Sequence, residues 1–308
     1  MGTDRDVVEE FGDWVACSQG NAEPELRGAH ARAGGGVIMF PRACAPYPQL
    51  GILPTTVSDP AEALERVKRD GAVIVTGVGR TAEDARLLGH RIFGDSVLAI
   101  PDAAEVREGG IQDRRPAGLT LHTRSNLHTD GFSYGNLYPD YFLLLCERDS
   151  PEGGESFVMD GAALLEWAAT QPGGPEFVER LQRVAIDQTE PGKRNATGPM
   201  VGRSDSGRVM FRRFPEQQPT HDASDPERDW AMIAAWHTLI DDLSLFCPRF
   251  KLEPGQAVVI DNYRLFHGRE SYSDISRCMW RLWVWTTAGQ GVPEGLLHSD
   301  SRFAGVTP

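Results

Sequence analysis

RCMWRLWVWTT (277–287) is the stretch that decides the fold. Alternation along a strand sends Arg277, Arg281 and Trp283 to one face and Cys278, Trp280, Leu282 and Val284 to the other. Both faces carry bulky apolar side chains, as expected of a strand covered on both sides. An arginine between such walls needs an anionic partner, because an unpaired buried charge is costly. The alternative puts both arginines in solvent and only the Cys278, Trp280, Leu282, Val284 stripe inside.

Further strands are predicted in AVVIDN (257–262), YFLLLC (141–146), AVIVTGV (72–78) and 209–213. ESFVMDG (155–161) follows a turn made by Pro151, Gly153 and Gly154 and is predicted to form a hairpin with YFLLLC. A helix capped by Ser58 or Asp59, with Pro60 at its first position, ends at Gly71. A second helix, EDARLLGHRIF (83–93), follows Thr81, and others are predicted over 162–170, 176–185 and 230–245. The strand-rich second half predicts a mainly β fold with flanking helices and a double-stranded β-helix (jelly-roll) core. A single domain is expected across 1–308. Residues 1–50 are irregular, and the polar stretches 107–127 and 187–229 are expected to form loops over an active site.

The formal charge of −13 argues against nucleic acid and anionic membrane surfaces as partners. The five cysteines are odd in number and form no CxxC pair, which disfavours a disulfide framework or a structural zinc site. The acidic start lacks the features of a signal peptide, and no apolar run reaches membrane-spanning length. A soluble, cytoplasmic protein is expected, with its oligomeric state left open. Gly77 and Gly79 lack the third glycine and downstream acid of a dinucleotide fingerprint.

The chemistry is carried by His128-Thr129-Asp130 and, far along the chain, by His267. Residues two apart in an extended segment share a face, so His128 and Asp130 can bind one ion. Two histidines and one carboxylate on one side of a metal leave coordination positions open, the facial triad of non-haem iron(II) oxygenases. An HxD pair alone is a weak signal. Its surroundings strengthen it: Arg277 and Arg281 follow His267 and could take the far carboxylate of a dicarboxylate ligand in bidentate contacts. Asn126 and Phe132 flank the HxD pair and are candidate substrate contacts, as are Tyr134 and Arg212. His90, His122 and His237 are assigned no role.

LHTDGFSYGNLYPDYFLLLC (127–146), GGESFVMDG (153–161), VVIDNYRLFHGRESY (258–272) and RCMWRLWVW (277–285) together resemble the taurine dioxygenase (TauD/TfdA-like) family. Its clavaminate synthase-like and γ-butyrobetaine hydroxylase-like branches are included, and the resemblance covers about residues 60–287. It implies an oxygenase using Fe(II), 2-oxoglutarate and O2, with iron on His128, Asp130 and His267. It implies that Arg277 binds 2-oxoglutarate, that Arg281 lies close to co-substrate or substrate, and that Ser156 hydrogen-bonds the co-substrate carboxylate. Related halogenases replace the carboxylate ligand by a small residue, and Asp130 argues against that chemistry. The implied activity is hydroxylation of an unactivated C–H bond in a small polar metabolite, within specialised metabolism. Desaturation and oxidative ring closure remain alternatives. Two rivals are a non-catalytic jelly-roll ligand-binding protein and a zinc hydrolase using the same three ligands.

Overall fold

The structure, a computed structural model, describes residues 47–106, 124–274, 276–295 and 297–300. Most of the irregular segment 1–50 and of the loop 107–127 therefore lies outside the described residues, as does His122.

The strands are β1 (Gly51–Ile52), β2 (Thr55–Val57), β3 (Ala72–Val75), β4 (Val97–Ala99), β5 (Ala104–Val106), β6 (Ser125–His128), β7 (Tyr141–Arg148) and β8 (Ser156–Asp160). Short strands follow: β9 (Ile186–Asp187), β10 (Thr197–Gly198), β11 (Val201–Arg203), β12 (Val209–Phe211) and β13 (Gln218–Pro219). The last three are β14 (Ala257–Asp261), β15 (Leu265–Arg269) and β16 (Cys278–Thr286). The larger sheet has the order β2-β3-β14-β7-β16-β4, with β5 also on β16, and the smaller has the order β1-β8-β15-β6.

Period-two alternation builds the layers. On the larger sheet Leu143, Leu145, Val259, Leu282 and Val284 point outward to helices α1 (Pro60–Asp70) and α2 (Ala82–Phe93). From the same strands Phe142, Val258, Met279, Trp283 and Trp285 point inward and meet Val158 and Leu265 of the smaller sheet. On the smaller sheet's outer side Phe157, Met159 and Phe266 pack on α3 (Gly161–Ala169), α4 (Gly174–Arg183) and α5 (Pro226–Ser244). The result is two facing antiparallel-rich sheets with helices on both outer faces, the jelly-roll core expected from the alternation. Trp236 of α5 is fully buried between Phe177 and Phe266, and its truncation to Ala is expected to cost about 3–5 kcal/mol.

Local signals explain where helices begin and end. The Asp59 side chain accepts from the Ala61 N–H, Pro60 opens α1, and Gly71 at φ 85° ends it. Thr81 and Asp84 close a capping box on α2.

One expectation is corrected. YFLLLC and ESFVMDG are not hairpin partners: β7 pairs with β14 and β16, whereas β8 pairs with β1 and β15 in the other sheet. The Gly153-Gly154 turn carries the chain across the core, with Gly153 bridged to Tyr272. Periodicity identifies a strand but not its neighbour, and here the turn joins sheets. The stretch 187–229 also contains structure: β9 to β13 form a three-stranded and a two-stranded sheet within it.

Candidate metal centre

β6 and β15 are neighbours, and His128 and His267 are cross-strand partners on them. The two rings lie 4.4 Å apart between centroids. Beyond β6 the chain turns at Gly131, φ 93°, which leaves Asp130 beside both imidazoles. His128 Nε2 is 3.3 Å and His267 Nε2 3.8 Å from Asp130 Oδ1. One ligand atom from each residue lies within 4.8 Å of the others. Among the described residues this is the one cluster of three metal-ligating side chains so placed.

The surroundings fix each donor. His128 Nδ1 donates to the Asn126 carbonyl oxygen at 2.8 Å, which fixes the ring and turns Nε2 toward Asp130. His267 is buried and stacks on Phe142 of the opposite sheet, 4.4 Å away at 16°. Burial, then the neighbouring His128, lowers the His267 pKa and keeps the ring neutral, the form that binds metal. Burial alone would raise the Asp130 carboxyl. Arg281 and hydrogen bonds to both imidazoles outweigh it and hold the group well below the usual carboxylate range. Asn262 anchors the turn: its Oδ1 accepts from Asp130 N–H at 2.9 Å, and its Nδ2 donates to the carbonyls of Asp130 and Pro139.

Arg277 is 2% exposed, and its Nε and Nη2 find no hydrogen-bond partner among the described residues. Its guanidinium carbon lies 4.8 Å from the Tyr272 ring centroid. A buried cation with no protein anion paired to it among the described residues fits a carboxylate ligand. Arg281 is placed differently: Nη1 is 3.4 Å from Asp130 Oδ2, and Nε donates to the Ser299 carbonyl at 2.8 Å. Ser156 stands opposite Arg269 across β8 and β15, on the strand face that Val158 turns toward the core.

The substrate candidates separate. Asn126 is exposed, and its carbonyl serves His128. Phe132 is buried among Tyr138, Met210, Tyr263 and Phe214. Tyr134 packs edge-on against Trp283 and Trp285, and its hydroxyl bonds the His298 backbone. Arg212 is buried, with Nη1 donating to the Pro199 carbonyl at 3.1 Å. Three contributors went unpredicted: Trp283 as a donor to Asp130, Asn262 as the turn's anchor, and Arg269 beside Tyr272. Alternation gives signals for two of them, since Trp283 shares the Arg281 face and Arg269 the His267 face.

Among known proteins, human gamma-butyrobetaine dioxygenase is 26% identical over 232 residues, covering 70% of this chain and 57% of its own. An Amycolatopsis uridine-5'-phosphate dioxygenase is 31% identical over 172 residues, covering 53% of this chain and 60% of its own. The chain thus spans less than two thirds of the length of these relatives. The PvcB protein of Pseudomonas aeruginosa shares the fold, with a TM-score of 0.53, 19% identity and coverage of 73% of this chain and 79% of that one. The family model for the taurine catabolism dioxygenase TauD, TfdA family matches residues 50–283, three quarters of the sequence, and the chain belongs to that family.

Proposed function

We propose that this chain is one catalytic domain of an Fe(II)- and 2-oxoglutarate-dependent dioxygenase, with His128, Asp130 and His267 as the iron ligands. The observation that carries this reading is the pairing of two features in one inter-sheet space. Two imidazoles, that of His267 with its pKa lowered by burial, and an ionised carboxylate converge there, and a buried arginine with unbonded nitrogens lies in the same core. The donor set suits ferrous iron. A zinc hydrolase would use the same ligands but gives Arg277 no task.

Held by His128, Asp130 and His267, iron together with 2-oxoglutarate would supply the oxidising chemistry, with O2 as the oxidant. The chain's residues orient and insulate. Arg277 binds the distal carboxylate of the co-substrate, and Ser156 stands at the same end of the site as a further donor. Arg281 and Trp283 hold one oxygen of Asp130, so the other faces the imidazoles. Phe142, Trp283 and Trp285 wall the inner face and exclude water. Asn126, exposed on the strand of His128, is the substrate contact we assign, while Phe132, Tyr134 and Arg212 are buried and support the surrounding structure.

The substrate we assign is a small polar metabolite, hydroxylated at an unactivated carbon in specialised metabolism. The curated relatives are named for gamma-butyrobetaine and uridine 5'-phosphate, both small and polar. The test is oxygen-dependent turnover of 2-oxoglutarate by the iron-loaded protein across a panel of amino acids, betaines and nucleotides. Stimulated succinate release with one class, and a product heavier by one oxygen, supports the reading. Folded, iron-loaded protein that never makes succinate contradicts it.

A further inference from the structure

The segment 297–300 lies beyond residue 283, where the family match ends, yet it is built into the metal centre. On the edge of β16 away from β7, β5 pairs with Met279, Trp280 and Arg281, and β4 pairs with Trp285 and Thr286. Ser299 enters between those pairings and is 1% exposed. Its Oγ accepts from the Trp283 N–H at 3.1 Å, and its carbonyl accepts from Arg281 Nε at 2.8 Å. Leu297 packs against the inner core that holds Phe142 and Trp283. Tyr134 fastens the residue between them: its hydroxyl donates to the His298 carbonyl at 3.1 Å and accepts from the His298 N–H.

The two residues that Ser299 grips are the two that grip Asp130. Arg281 Nη1 and Trp283 Nε1 lie 3.4 and 2.9 Å from Asp130 Oδ2. The Arg281 guanidinium carbon also stands 4.8 Å from the Trp283 ring centroid. A guanidinium is a rigid planar fork, so an acceptor on Nε fixes the plane in which Nη1 approaches the carboxylate. Without the Ser299 hydroxyl, the buried Trp283 N–H loses its acceptor at the point where β16 carries the indole.

We propose that Ser299 is a positioning residue for the metal-binding carboxylate. The strap formed by residues 297–300 holds Arg281 and Trp283 on Oδ2 of Asp130 and so leaves Oδ1 to the metal. The inference rests on the metal assignment above. Its consequence is linkage: a docked strap tightens metal binding, and bound metal tightens the strap by the same factor.

The test is titration of metal-free protein with Mn(II), for wild type and Ser299→Ala, beside urea unfolding of both without metal. Ser299→Ala is expected to lose about fivefold in Mn(II) affinity, on the scale of one hydrogen bond. A lower urea midpoint with unchanged Mn(II) affinity assigns Ser299 to the fold alone and overturns the proposal. Hydrogen exchange of the wild type, read on the peptide spanning 297–300, carries the test if the variant does not fold. Mn(II) is expected to slow that exchange by a similar factor, and exchange that ignores Mn(II) overturns the proposal. Folded wild type that binds no Mn(II) overturns the metal assignment and this inference with it.

Discussion

Trp283 holds one oxygen of Asp130: its indole Nε1 lies 2.9 Å from Oδ2, while Oδ1 faces His128 and His267. The carboxylate is thereby oriented with a single oxygen toward the candidate metal. Trp283→Phe keeps the wall and removes the donor. Metal affinity is expected to fall about tenfold or more, as is usual when a ligand loses its outer partner. Titration with Mn(II) or Co(II) reads this directly, and unchanged affinity would show that Arg281 suffices.

Gly154 makes room for Arg277. Its φ is 76°, and a Cβ there would sit 3.1 Å from Arg277 Nε. Gly154→Ala is expected to cost roughly 1 kcal/mol in stability from backbone strain. It should weaken 2-oxoglutarate binding while leaving metal affinity intact. Calorimetry of both ligands separates the two effects, and loss of metal binding alone would contradict this role.

Arg208 bridges two buried acids, Asp140 and Asp261, at 2.8 Å each, beneath the Asn262 anchor. Burial raises both carboxyls, and the arginine opposes it. Arg208→Met leaves two acids without their cation and is expected to destabilise the fold by about 3–5 kcal/mol. Urea unfolding measures it. A change under 1 kcal/mol, on the scale of exposed ion pairs, would show that the bridge contributes little.

His237 sets an acid limit on stability. Burial, then Arg213, lowers its pKa from 6.5 to about 4, and its Nε2 lies 2.7 Å from Gln217 Oε1. Below pH 6.5 the unfolded chain takes up a proton that the folded chain refuses until about pH 4. The sign is therefore a loss of stability as pH falls through that window, approaching roughly 3 kcal/mol. His237→Gln should flatten the dependence relative to wild type in urea midpoints at pH 7 and pH 5. Parallel curves would contradict the assignment.

The shared face of His128 and Asp130, the inward face of the Arg277–Trp283 strand and the layered β core were legible because alternation and HxD spacing act locally. Strand partnership was not legible: YFLLLC and ESFVMDG are near in sequence yet lie in opposite sheets, a consequence of long-range pairing. Arg281 shows the same limit, since its face could be read but not its contact with Asp130. Asn262 carries no motif, and its importance comes only from bonding a turn distant in the chain.

The central claim is that His128, Asp130 and His267 share one ferrous ion that 2-oxoglutarate completes. Anaerobic titration of the protein with Fe(II), then 2-oxoglutarate, tests it through the visible charge-transfer band of the chelate. The band should saturate at a single iron per chain and vanish in His267→Ala. A folded wild type that shows no band, or a His267→Ala variant that shows it undiminished, would contradict the account.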